Sequence, residues 1–183
     1  MKYLLGILLV IVAVTFSANV AFSGDADDST SLWHNVDIRL NGGIAIPVAP
    51  ANFANIWEPG FTAGGGIAFG VNNVIALALN ANYAQFPYER GSSTIVSNLY
   101  VSAGARAFVP TNAVRPYFEA GLGFFAMGGE ADDTAVGIHG GVGAKVSLVF
   151  LEALYILGFT DDESTGFVSI RAGVSIDVAG GGN

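Results

Sequence analysis

Cysteine is absent from this 183-residue chain. That excludes a disulfide framework, a thiolate metal site, a cysteine nucleophile and a lipid anchor on cysteine. Positive charge is almost absent as well: seven Lys and Arg stand against fifteen Asp and Glu, for a net charge of −8. Nucleic-acid binders need clustered Lys and Arg, so that partner class is excluded. Charge of either sign is scarce, at 12% of residues, about half the roughly 25% of an ordinary soluble domain. Histidine occurs only twice.

One further thing is missing, a second long apolar helix. The first apolar run, Tyr3 to Phe16, follows Lys2 and is succeeded by the small residues Ala21 and Ser23. This is the pattern of a secretory signal with a cut before Gly24. Residues 1–23 are therefore expected to be a signal peptide and residues 24–34 a periplasmic N-terminal segment beginning Gly24-Asp25-Ala26-Asp27-Asp28. Beyond it the longest uncharged stretch, Phe61 to Tyr88, is interrupted by Gly64-Gly65-Gly66, Asn72-Asn73, Asn80 and Asn82. Glycine triplets and paired asparagines break helices and favour turns.

What is present is apolar: hydrophobic residues make up 52% of the chain, and 25 residues are glycine. Only helices and closed barrels satisfy every backbone group inside a bilayer, and helices are excluded. Val36-Asp37-Ile38-Arg39-Leu40-Asn41 alternates with a period of two. So does the last segment, where Val168, Ile170, Ala172, Val174, Ile176 and Val178 share one face. Such segments of about ten residues mark a transmembrane β-barrel. The expected fold is all-β, an eight-stranded antiparallel up-and-down transmembrane barrel spanning residues 35–178, with a tail at 179–183.

Eight strands are expected near 35–46, 61–71, 74–86, 95–109, 114–127, 135–146, 149–159 and 166–178. The connections at 47–60, 87–94, 128–134 and 160–165 are long and acidic. Those at 72–73, 110–113 and about 146–149 are short and uncharged. Outer-membrane barrels have long extracellular loops and short periplasmic turns, so the acidic set is expected to face outward. No Gly, Pro or Asn marks the sixth turn. The apolar phase switches from even positions in Val136–Val146 to odd ones in Leu151–Phe159, which requires a bulge or a tight turn near Ser147.

The charges share one phase. Arg39, Arg106, Arg115, Lys145 and Arg171 fall on the polar face of their strands, as do Asp37, Glu119, Glu152, Asp177 and His139. An Arg or Lys facing the bilayer midplane costs roughly 2–4 kcal/mol, so these ten residues are expected to point inward as a charge-paired lumen network. Gly64, Gly66, Gly121, Gly123, Gly137, Gly141 and Gly143 share that face and are expected to make room for the long arginines. Phe150, Leu154 and Ile156 break the inward polar phase, as a bulge or local packing would. Phe61, Phe69, Tyr83, Phe118, Phe124, Tyr155 and Phe159 fall on the outward phase toward strand ends, where aromatic girdles meet the membrane interfaces.

Three segments carry a resemblance: Trp57-Glu58-Pro59-Gly60-Phe61 entering strand two, Arg115-Pro116-Tyr117 opening strand five, and Leu151-Glu152-Ala153-Leu154-Tyr155 in strand seven. Through them the chain resembles the small eight-stranded outer-membrane barrels of the OmpA-transmembrane, OmpX and opacity-protein kind, over roughly residues 33–178. The resemblance implies an outer-membrane barrel assembled by the barrel-assembly machinery. Two features depart from the family: Leu154 stands near a position where members usually carry arginine, and the last strand does not end on an aromatic residue.

Catalytic, cofactor and metal sites are not expected. His139 has Gly137 and Gly141 on its face, and His34 lacks a nearby serine, so neither builds a hydrolase triad. The acidic runs Glu130–Asp133 and Asp161–Glu163 do not have calcium-loop spacing. The leading reading is a non-enzymatic barrel in the bacterial outer membrane, surrounded by its lipid, with an envelope-structural role or a surface ligand held by the acidic loops. A narrow pore for ions or small solutes stands second, and an outer-membrane lipid-modifying enzyme third.

Overall fold

The computed structural model describes residues 35–88, 94–111, 113–128, 134–159 and 164–179. The expected signal peptide, the segment 24–34 and all of the tail but Ala179 lie outside them. Eight strands form: β1 Asn35–Ala49, β2 Gly60–Gly70, β3 Ile75–Pro87, β4 Ile95–Phe108, β5 Arg115–Gly128, β6 Thr134–Val146, β7 Val149–Phe159 and β8 Ser164–Ala179, with one helix, α1, at Ala51–Ile56. Each strand pairs antiparallel with its neighbour in sequence, and β1 pairs with β8, so the sheet closes. Closure removes the free edges that an open sheet would expose to lipid.

The register fixes the barrel's shape. Following paired residues from Asp37 through Ala68, Ala78, Gly104, Gly121, His139, Ile156 and Phe167 returns to β1 at Pro47, ten residues further along the same strand. That stagger tilts the strands and, with eight of them, leaves an interior just wide enough for side chains to fill. Alternation decides which residues go there. Leu40, Phe118, Leu122 and Leu151 are each about 60% exposed on the outside, while their inward neighbours Arg39, Glu119 and Glu152 are 3% exposed or less. Apolar residues at least 40% exposed occur on all eight strands. An apolar belt of that extent is far beyond what a water-soluble monomer presents and is the surface that meets lipid.

Two connections differ in interest. Residues 47–60, expected as a loop, hold the end of β1 and then α1. Pro47 still pairs with Phe167 and Ala49 with Gly166, across a register shift placed where proline has no N–H to give the ladder. Ala54 then donates its N–H to the Pro50 carbonyl at 3.0 Å and Trp57 to Phe53 at 3.1 Å, closing a single short helix. The expected turn near Ser147 is present: Val146 and Val149 are paired, and Ser147 takes φ 53°. The change of phase is thus a two-residue turn and not a bulge.

A left-handed serine is strained relative to glycine. Ser147→Gly is therefore expected to leave the turn intact and keep or slightly raise stability, whereas Ser147→Val should lower it by roughly 1 kcal/mol or more. Denaturant unfolding in detergent micelles, followed by tryptophan fluorescence, checks both.

Candidate functional site: the barrel lumen

The lumen is stacked in layers between the end bearing the short turns and the end bearing the long loops. At the turn-end mouth, Lys145 Nζ donates to Asp37 Oδ2 at 3.0 Å and to Asp177 Oδ1 at 3.1 Å, and Ser175 Oγ donates to Asp37 at 2.7 Å. The Asp177 side chain is 60% exposed. Arg115 is also at this mouth, lying over the Phe108 ring at 4.6 Å, with Nη2 reaching the Asn73 carbonyl at 3.4 Å. Among the described residues it forms no ion pair. Of the ten expected network residues, eight are joined by ion pairs, His139 lies against Glu119, and Arg115 stands apart.

Two buried clusters lie above. In the first, Glu152 is held by Arg171 Nη2 at 2.7 Å, by the Tyr117 hydroxyl at 2.7 Å and, more distantly, by Arg39 Nη1 at 3.7 Å. Arg39 Nη1 donates to the Tyr117 oxygen at 3.0 Å, and the guanidinium lies between the Phe150 and Tyr117 rings, 4.5 and 5.0 Å from their centroids. In the second, Glu119 accepts from Arg106 Nε at 2.5 Å and from Asn80 Nδ2 at 3.0 Å, and Arg106 Nη2 donates to Asn80 Oδ1 at 3.1 Å. His139 bridges upward, with Nε2 3.4 Å from Glu119 and Nδ1 2.9 Å from the Tyr100 hydroxyl. Charges this dry persist only when paired, because desolvation of each ion must be offset by close partners.

The loop-end half of the lumen is different, and here the expectation of a polar interior needs correcting. Phe86, Tyr100, Phe125, Leu154, Ile156 and Phe167, all 3% exposed or less, form one apolar cluster. Tyr100 and Phe125 stack at 4.4 Å, and Phe86 meets Phe167 edge-on at 5.3 Å. From beyond the loop end of β1, α1 lowers Phe53 onto Phe86 at 5.5 Å. Phe150, Leu154 and Ile156 therefore point inward with the polar residues, and the unbroken pairing of β7 with both neighbours shows no bulge. The lumen is charged below and aromatic above.

The glycines also serve a purpose other than the expected one. A Cβ on Gly137 would collide with the Phe125 ring, and one on Gly143 with the Tyr117 ring. These two seat aromatic rings against the wall, while a Cβ on Gly64, Gly66, Gly121 or Gly141 would meet the Asn82, Asn80, His139 or Leu154 side chain and not an arginine. Periodicity hides this, since inward Phe125 shares its phase with Gly121 and Glu119. A usable signal was height: the inward positions of β3, β5 and β7 turn apolar or aromatic toward their loop ends, and β4 and β8 add Val96, Tyr100 and Phe167 there. Of the seven aromatics expected to face outward, Phe61, Tyr83, Phe118, Phe124, Tyr155 and Phe159 are exposed and Phe69 is half-buried.

No protein-family model matches the sequence, and no curated protein matches it. Solved structures do match the fold. Neisserial surface protein A superposes with TM-score 0.61 at 16% identity, covering 78% of this chain and 97% of that one. The Yersinia pestis outer-membrane protein Ail, in phospholipid nanodiscs, gives 0.53 at 15%, covering 78% and 99%. The outer-membrane enzyme PagL gives 0.51 at 14%, also covering 78% and 99%.

Removing Glu119 strands Arg106 in a dry site, so Glu119→Ala should cost roughly 3–5 kcal/mol. Asp177→Asn at the wet mouth should cost under about 1 kcal/mol. The temperature at which the compact band is lost on semi-native gels should fall markedly for the first and barely for the second. Closed topology, apolar exterior and structural likeness together give this chain the fold of the small eight-stranded outer-membrane barrels.

Proposed function

We propose that the protein is exported by its N-terminal signal, resides in the bacterial outer membrane and acts through its loop end, as an envelope-structural or surface-interaction protein and not as a channel or an enzyme. The observation that carries this reading is the doubly filled lumen. Any path along the axis meets two layers of mutually paired charges and then the Phe86–Phe125–Phe167 cluster. An apolar constriction resists wetting and with it ion passage. With the interior so occupied, the surfaces left for partners are lipid on the belt and solvent-facing loops at the ends.

PagL shows that this fold can carry an enzyme. The histidine described here is poorly placed for such work. Both nitrogens of His139 face partners, Tyr100 and Glu119, and the residue is 5% exposed. A general base must reach both its nucleophile and the substrate, and this imidazole is enclosed among fixed groups.

Planar-bilayer recording tests the sealed lumen. The wild-type barrel should show at most rare, small openings, whereas Phe125→Ala combined with Phe167→Ala should raise the frequency of conducting events by thinning the apolar layer. Large, steady conductance from the wild type would establish a pore instead.

Orientation follows from the acidic long connections, with the short turns and both termini in the periplasm. Cysteine placed at exposed Glu58 should react with an impermeant maleimide on intact cells, and cysteine at exposed Asn73 only after lysis. The reverse pattern would invert the topology. Mass spectrometry of the membrane-embedded protein should find a chain beginning near Gly24.

A further inference from the structure

At the turn-end mouth, below the two buried ionic clusters, the lumen holds a cavity of about 370 Å³. An eight-stranded barrel is just wide enough for side chains to fill, so small residues on one wall leave space unfilled. That wall is β2 and β3, where Ala68, Gly70 and Ala76 line the cavity. Ala68 and Ala76 belong to a buried alanine cluster against which Phe108 packs, and this arc of the mouth is apolar.

The rest of the mouth is charged. Arg115 and Lys145 stand directly across from each other on β5 and β6, and like charges so placed repel. Lys145 is satisfied by the carboxylates of Asp37 and Asp177, at 3.0 and 3.1 Å. Arg115 is not. Its guanidinium lies over the Phe108 ring at 4.6 Å, and Nη2 reaches the Asn73 carbonyl only at 3.4 Å, beyond the usual range for an N–H donor. A guanidinium carries five N–H groups in a planar fork that fits a carboxylate. Arg115 lines the cavity with that fork paired to no acid among the described residues.

These walls select a ligand. A cation would meet Lys145, already seated between the two carboxylates. A dianion would gain at Arg115 but carry its second charge into a cavity that Asp37 and Asp177 also line, at a Coulombic cost. A monoanion with a compact apolar body suits both arcs. We propose that the turn-end mouth is a binding site for a small monocarboxylate with an apolar body, the carboxylate held by Arg115 and the body against Ala68 and Ala76. The bound carboxylate also offsets the repulsion between Arg115 and Lys145. The paired charges above form the floor of the site, so it holds its ligand without passing it on. It is separate from the loop end, at the opposite mouth of the barrel.

The test uses the full mature barrel in lipid nanodiscs, with benzoate as probe and benzamide, of nearly the same shape but uncharged, as control. In an NMR titration benzoate should shift the Arg115 Nε–H and the Ala68 and Ala76 methyl resonances together and saturably, and benzamide should not. Arg115→Gln removes a charge from outside the ion-pair network and should weaken binding by about tenfold or more. Ala76→Leu, which fills the cavity and keeps the charge, should abolish the Ala68 shift with the backbone fingerprint retained; if it does not fold, Arg115→Gln decides. Absence of a saturable shift, benzamide binding as tightly as benzoate, or unchanged benzoate affinity in Arg115→Gln would each overturn the proposal. So would a shift of the Arg115 Nε–H, with no probe present, on replacing Asp25, Asp27 and Asp28 by Asn, which would make the chain's own carboxylates the occupant.

Discussion

Everything in this barrel depends on the requirement that no backbone polar group and no unpaired charge face hydrocarbon. Backbone groups in lipid have no water to fall back on, so the sheet has to close, and β1 meets β8 with no edge left over. Once closed, each strand has one face to lipid and one to the lumen. A slip of one residue would bring Arg39, Arg106 or Arg171 onto the lipid face, at a cost of roughly 2–4 kcal/mol each near the midplane. The charges thus act as register pins for the strands that carry them.

Pinning the charges inside creates the second problem, a narrow interior in which water is scarce. The barrel answers with shared carboxylates. Glu152 serves Arg39, Arg171 and Tyr117, while Glu119 serves Arg106, Asn80 and His139. Aromatic rings take part as well, since Arg39 is flanked by Phe150 and Tyr117, an arrangement that offsets some of the lost hydration of a guanidinium. Replacing such a network by apolar side chains is often neutral or stabilising in soluble proteins. Here the alternation of faces gives the network a further role that an apolar filling would lack, because it distinguishes inside from outside.

The aromatic half follows a different logic. There the strands rise toward the loop end, and the space is closed by side-chain volume instead of by pairing. Gly137 stands where a larger residue would displace Phe125, so ring and glycine are matched across adjacent strands. Phe53, brought in by α1, extends this packing beyond the strands. A shared fold therefore says little about use: likeness to Ail and to an enzyme alike reflects closure and stagger, while what the lumen and loops do rests on the residues placed there.

Local periodicity was enough to determine the strands, their number, the closed barrel and the inward direction of every charge, because alternation and the cost of charge in lipid are properties readable one strand at a time. Even the turn at Ser147 was legible, as a switch of phase. Which charges meet was not, since partners such as Lys145 and Asp37 lie 108 residues apart and are brought together only by the ten-residue stagger. Arg115 stands directly across from Lys145 in the register, yet its guanidinium turns to the Phe108 ring and the Asn73 carbonyl instead of to a carboxylate. The helix α1 escaped notice because six residues make too short a pattern to read. The aromatic layer also escaped notice, because inward phenylalanines and inward arginines occupy one phase and differ only in height. Height along the axis is a property of the closed barrel as a whole, and no single strand contains it.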